Sequence, residues 1–174
     1  MQKIPSKTTV YLSLGSNVGD RLDYLDAAKE KLKNDPAIKV VAESKVYETE
    51  PWATGEHPHS ESGMNWFLNQ VVKIKTSLKP LELMSALEDI EKDLGRATKG
   101  DLKSREIDID ILLYNDEVID LPQLQVPHRH MNDRQFVLVP LVEISPDLKD
   151  PVTRNKYKYI LENLKDSHKV TPFL

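Results

Sequence analysis

The chain has 174 residues and no cysteine, which excludes disulfide frameworks, thiol nucleophiles and thiolate-bound metals. Glycine is scarce, 6 residues against 11 prolines. No G-x-x-x-x-G-K-[ST] loop or kinase-type glycine-rich loop occurs, so any ATP site must be of another kind. No apolar run approaches the roughly 20 residues a spanning helix needs, so no membrane association is expected. The opening stretch MQKIPSKTT lacks the apolar region of a secretion signal, and the expected location is cytoplasmic. Positive charge is not in excess either. The 24 Lys and Arg stand against 28 Asp and Glu, a formal charge of −4, which argues against a nucleic-acid binder. What is present, 39% hydrophobic and 30% charged residues, is the composition of a globular protein. The length suits a single domain over residues 1–174 with its own core.

Local signals divide the chain into alternating elements. Thr8 to Leu14 is rich in β-branched and apolar residues and stops at Gly15-Ser16-Asn17, as a strand running into a turn does. From Asp20 to Lys33, Leu22, Leu25, Ala28 and Leu32 form one helical stripe, with Asn17 or Asp20 as candidate cap. β-favouring stretches follow within 38–49 and 66–76, separated by an irregular segment, Glu50 to Asn65. Pro80 suits the first turn of a second helix with the stripe Leu83, Met84, Leu87, Ile90 and Leu94, and Gly95 sits where a left-handed cap belongs. A strand is expected over Glu106 to Tyr114, a short apolar helix over 134–144 and a last helix over about 155–166. The order β-α-β, β-α-β predicts an α+β, ferredoxin-like βαββαβ sandwich with additional C-terminal helices.

Chemistry concentrates in Ser104-Arg105-Glu106-Ile107-Asp108-Ile109-Asp110-Ile111-Leu112-Leu113-Tyr114. On a strand, Ile107, Ile109, Ile111 and Leu113 would face the core, leaving Asp108 and Asp110 on the other face about 7 Å apart. Carboxylates that close repel unless a cation lies between them, and Mg²⁺ takes such oxygen ligands together with phosphates. Alternation alone is equally what a solvent-facing edge produces. The preceding loop carries Arg96, Lys99, Lys103 and Arg105 against Asp101, a combination suited to a metal-bound polyphosphate.

Several separated signatures together resemble the 6-hydroxymethyl-7,8-dihydropterin pyrophosphokinase family. They are Leu14-Gly15-Ser16-Asn17, Phe67-Leu68-Asn69-Gln70-Val71-Val72, Leu94-Gly95-Arg96, the run from Arg105 through Asp108 and Asp110, Val126-Pro127-His128, and Arg134-Gln135-Phe136 leading to Pro140-Leu141. The resemblance implies diphosphate transfer from ATP to the pterin hydroxymethyl group in folate biosynthesis. Asp108 and Asp110 would hold two Mg²⁺ ions, and Arg96 and Arg105 would contact the triphosphate as catalytic groups. Glu91, Lys99, Ile111, His128 and Arg134 would complete the ATP site. Thr49, Trp52, Phe67, Asn69 and Phe136 would form the pterin pocket, with the two phenylalanines stacking on either face of the ring. The partners implied are these two small molecules, with no nucleic acid or membrane, and the chain would act as a monomer.

The chain departs from the family's pattern in its loops. A family Trp-Gly-Pro-Arg is here Leu102-Lys103-Ser104-Arg105, and the stretch Thr49-Glu50-Pro51-Trp52 leads into a long insertion. The cationic loop is expected to be mobile without ligands and to close on the triphosphate. Two other readings of the residues stay open at this point: a non-catalytic ferredoxin-like binding module, and another two-metal phosphoryl-transfer enzyme such as a nuclease.

Overall fold

The computed structural model describes residues 8–51, 66–95 and 106–173. The expected alternation is present: β1 (Thr8–Ser16), α1 (Arg21–Asn34), β2 (Ile38–Glu43), β3 (Tyr47–Thr49), β4 (Phe67–Thr76), α2 (Pro80–Asp93) and β5 (Asp108–Tyr114). Local chemistry sets the helix limits. Asp20 caps α1 by accepting from Asp23 N at 3.1 Å, Pro80 opens α2, and Gly95 follows it at φ +105°. After β5 come a hairpin of β6 (Ile119–Leu121) and β7 (Leu124–Val126), then α3 (Gln135–Ile144), α4 (Tyr157–Glu162) and β8 (Val170–Pro172).

The main sheet runs β5-β1-β4-β3-β8, with β2 also paired to β4. β1 is antiparallel to both neighbours, and β2 and β3 share the far edge of β4 in succession. With β2 beside β4, the four principal strands stand in the order fourth-first-third-second of a ferredoxin-like fold, as expected. Among the described residues, no helix is long and apolar enough to cross a membrane.

Each face of the sheet has its own core. Val10, Leu12 and Leu14 of β1, with Ile107, Ile109 and Ile111, pack against Leu25, Ala28 and Leu32 of α1 and Leu83, Leu87 and Ile90 of α2. Tyr11, Val71, Leu112 and Leu113 pack instead against α3 and α4 through Val137, Leu138, Leu141 and Tyr157. Fully burying one such aliphatic side chain is worth about 1.5–3 kcal/mol, so the two layers clamp the sheet from both sides.

Two expectations need correction. Leu113 does not follow Ile107, Ile109 and Ile111 to the α1/α2 face. The β1–β5 register shifts between Tyr11 and Leu12, so that Leu12 opposes Ile111 while Tyr11 opposes Leu113. Such a bulge reverses the alternation beyond it. The last helix is also shorter than its periodicity suggested and ends at Glu162. Residues 163–169 then run out to β8.

α3 is tied to β3 through Glu143, whose carboxylate accepts from the Tyr47 phenol at 2.5 Å and from Lys45 N at 2.6 Å. Burial, and then the neighbouring Glu143, push the Tyr47 phenol up from 10.0 to about 12. The unfolded chain releases this proton near the ordinary value, so the tie's contribution is complete below about pH 10 and is lost as pH rises through about 12. Burial raises the Tyr114 and Tyr157 phenols as well, so a tyrosinate absorbance titration should show several late-ionising phenols, and one fewer in Tyr47→Phe. The fall in unfolding midpoint across that window should be shallower in the variant; equal slopes would remove this account.

Candidate active site

Strand register brings the site together. Asp108 on β5 lies opposite Gly15 on β1, Gly15 opposite Asn69 on β4, and Asn69 opposite Tyr47 on β3. One step further in, Asp110 opposes Ser13 and Ser13 opposes Val71. One step outward, Phe67 opposes Thr49. Side chains alternate along a strand, so Asp108, Asp110, Asn69, Phe67 and Thr49 share a face. It is the α3 face, because Val71 of the same set packs under α3.

Gly15 makes room for the Asn69 amide, which lies over it. A Cβ there would stand 2.7 Å from Asn69 Oδ1 and 3.7 Å from Phe67 Cδ1. Asn69 and Thr49 are both buried, and Asn69 Nδ2 donates to Thr49 Oγ1 at 2.6 Å. That bond orients the amide, with Oδ1 toward Gly15. The sequence marks Gly15 only as a strand exit; its role in seating the Asn69 amide follows from a pairing between strands distant in sequence.

On the acidic side, Glu91 of α2 is buried and its Oε1 accepts from Ile109 N at 3.3 Å. The bond fastens β5 at the residue between the two aspartates. His128 follows a cis Val126–Pro127 peptide, and its N–H donates to Leu112 O at 2.9 Å. Its Nε2 lies 3.9 Å from Asp110 Oδ2, and its Nδ1 accepts from His130 N at 3.4 Å. Asp110 and His128 keep 30% and 24% of their side chains exposed, so ligand oxygens can reach this edge. Among the described residues, no group of three or more His, Asp or Glu is placed to hold a metal ion unaided.

At the other end, Phe136 occupies the first turn of α3, half-buried against the second core. The Arg134 guanidinium sits 5.7 Å from its ring centroid, within cation–π range. Ile111 lies apart from this group: it is 5% exposed in the α1/α2 core. Trp52, Arg96, Lys99 and Arg105 fall outside the described residues, as do the loop whose closure was expected and the insertion after Trp52.

A cleft of about 500 Å³ is lined by Asn17, Gly19, Arg21, Glu48 and Trp66. Glu48 and Trp66 alternate with Thr49 and Phe67, so the cleft opens toward α1, where Arg21 bonds Glu48 Oε2 and Trp66 O, each at 2.8 Å. Its lining holds a single carboxylate, already paired with Arg21, and a single ring, Trp66, whereas Asp108, Asp110 and Phe67 lie on the α3 face.

The close approach at Gly15 is testable. Gly15→Ala should cost about 1–3 kcal/mol of stability, the usual penalty of overpacking, and should shift the side-chain amide resonances of Asn69. A denaturant melt and an amide spectrum matching the parent protein would show that the amide has room to spare.

Comparison with known proteins identifies the family. The family model described as 7,8-dihydro-6-hydroxymethylpterin-pyrophosphokinase (HPPK) matches residues 11–146. A 2-amino-4-hydroxy-6-hydroxymethyldihydropteridine pyrophosphokinase of Aquifex aeolicus is 42% identical over 165 residues, covering 95% of each chain. The enzyme of the same name from Bacillus subtilis is 43% identical over 143 residues, covering 82% of this chain and 81% of its own. Among solved structures, wild-type HPPK-DHPS of Plasmodium falciparum with pteroate superposes with a TM-score of 0.71 at 17% identity. That match covers 93% of this chain and 43% of the Plasmodium chain, a likeness of fold alone. The chain belongs to the 7,8-dihydro-6-hydroxymethylpterin-pyrophosphokinase family, the ATP-dependent diphosphokinases of folate biosynthesis.

Proposed function

We propose that the α3 face is where this chain transfers the β,γ-diphosphate of ATP to the hydroxymethyl oxygen of 6-hydroxymethyl-7,8-dihydropterin. The observation that carries the reading is the row Asp108–Gly15–Asn69, which, with Asp110 one step further in, sets an acid pair on the same face as an oriented amide that lies over a glycine. In the transfer, the hydroxymethyl oxygen bonds to the β-phosphorus, the bond from that phosphorus to the α,β-bridging oxygen breaks, AMP leaves and the hydroxyl proton passes to water.

The residues divide this work. Phe67 and Phe136 hold the flat ring, Asn69 meets the hydrogen-bonding groups on its rim, and Thr49 fixes that amide. Trp52 belongs to the same pocket through the family pattern. Asp108 and Asp110 suit Mg²⁺: they are hard oxygen donors on one face of one strand, and the partial exposure of Asp110 leaves room for phosphate and water to complete the shell. When bound, two Mg²⁺ ions would supply charge neutralisation and a template for the triphosphate. The family pattern assigns His128, beside Asp110, and Arg134, beside Phe136, to ATP, with Glu91 behind β5, while Ile111 supports from the core. Arg96, Lys99 and Arg105 would grip phosphoryl oxygens, an assignment supported by their charge and by the family pattern. Because one chain carries all these groups, the site needs no second copy, and we read the chain as acting as a monomer.

Formation of AMP from ATP, dependent on the pterin and abolished by chelation of Mg²⁺, is the expected activity. Asp108→Asn and Asp110→Asn should each lower turnover by about a hundredfold or more while circular dichroism stays unchanged, since lost charge at a reacting phosphoryl group costs several kcal/mol. Undiminished turnover in either variant would remove the two-metal role. Phe136→Ala should weaken pterin binding by about 1–3 kcal/mol, the range for stacking on an aromatic ring, and leave an ATP analogue nearly unaffected. Equal losses for both ligands would point to collapse of the core instead.

A further inference from the structure

The C-terminal segment touches both walls of the pocket. At one end it is zipped to the strand that carries Thr49: Val170 pairs with Thr49, Glu50 N donates to Lys169 O at 3.1 Å, and Lys169 N donates to Glu50 Oε1 at 3.0 Å. Four residues before Val170, Asp166 reaches the opposite wall. Its Oδ2 accepts from Gln135 N, the first residue of α3, at 3.0 Å. Its Oδ1 accepts from His168 N at 3.0 Å and is bonded to His168 Nδ1. The Asp166 side chain is 4% exposed and that of His168 11%.

This carboxylate fills a gap that α3 leaves open. The first amides of a helix have no partner within the helix, and the residue at the α3 cap position, Arg134, makes no side-chain capping bond. Arginine is not among the capping residue types. Asp166 therefore caps the helix from 31 residues downstream. Burial pushes its carboxyl up, but the amides of Gln135 and His168 together with the imidazole outweigh it and hold the group below its ordinary value. An anion is thereby kept at the positive end of the helix.

We propose that Asp166, seated by His168, is a positioning residue for the acceptor pocket: it fixes the first turn of α3, and Phe136 with it, relative to the strand bearing Thr49. The inference rests on the reading of that pocket as the pterin site. A flat ring held between two aromatic faces makes contacts of about 3.5 Å on each side, so the separation of the walls has little tolerance. Displacements of about 1 Å are enough to cost a site orders of magnitude in rate. Thr49 is held by the sheet, whereas Phe136 depends on the placement of a helix end.

The test compares dissociation constants of the pterin and of a non-hydrolysable ATP analogue, by calorimetry, for the parent protein and its variants. Asp166→Ala should weaken the pterin about tenfold and the nucleotide less than twofold. Asp166→Asn, which keeps the acceptor for Gln135 N, should recover most of the loss. In a Phe136→Ala background, Asp166→Ala should add less than a further twofold, because the ring it positions is gone. His168→Ala should give a smaller loss confined to the pterin, and it serves with Asp166→Asn if Asp166→Ala does not fold. Equal weakening of both ligands, full additivity with Phe136→Ala, or unchanged pterin affinity in the folded variants would overturn the proposal. Amide hydrogen exchange at Gln135 to Val137 should accelerate in Asp166→Ala without any ligand. If the parent protein fails to bind the pterin, the pocket assignment fails, and the exchange result still decides whether Asp166 holds the helix end.

Discussion

The register of β1 between β4 and β5 is the constraint on which the site depends. Nine consecutive residues of β1 pair with β4, from Thr8 with Thr76 to Ser16 with Leu68. A slip of one residue would turn every β1 side chain to the other face, putting Val10, Leu12 and Leu14 under α3 and moving Gly15 from between Asp108 and Asn69. Burial of those three side chains, none of them measurably exposed, makes that slip costly. The bulge opposite Tyr11 and Leu12 lies beyond the acid pair. Asp108 and Asp110 thus remain in phase with Gly15 and Ser13, while Leu112 and Leu113 both feed the second core.

What the sequence made legible was local. Asp20, Pro80 and Gly95 mark helix ends through short-range chemistry, and the structure has them in those roles. The shared face of Asp108 and Asp110 followed from alternation with three isoleucines. Leu113 escaped that logic because a bulge is a property of two paired strands, not of either one alone. The last helix stopped early for a related reason. Asn163 Nδ2 bonds Tyr159 O at 2.8 Å, and Asp166 is drawn off to Gln135, a partner 31 positions away. β8 is three residues long and exists because the edge of β3 is there to receive it. No periodicity in three residues could announce it.

The same division runs through the site. Motifs suggested residue types for it, but not their couplings. Thr49 and Asn69 are 20 positions apart and meet only because β3 and β4 pair. Glu91 stands in the apolar stripe of α2, where a carboxylate looks misplaced until its bond to Ile109 N is seen. Buried polar groups left unpaired cost about 1–3 kcal/mol each; here the bonds of Asn69 and Glu91 offset that cost and also set the direction of the group.

Two kinds of precision therefore meet at one place. The acid pair stands on a strand paired to the central β1 and fastened from behind by α2, so its geometry belongs to the fold's most constrained ladder. Phe136 stands on a helix end seated by core packing and by the tie from Asp166 to Gln135, while Glu143 ties the other end of α3 to Tyr47. Interactions at ladder positions are replicated by neighbouring bonds, and the loss of one is shared among them. Side-chain ties are few, and each carries its own share of the wall's position. The acid-pair end of this face is thus robust by construction, while the Phe136 end can be retuned by residues far from it in sequence.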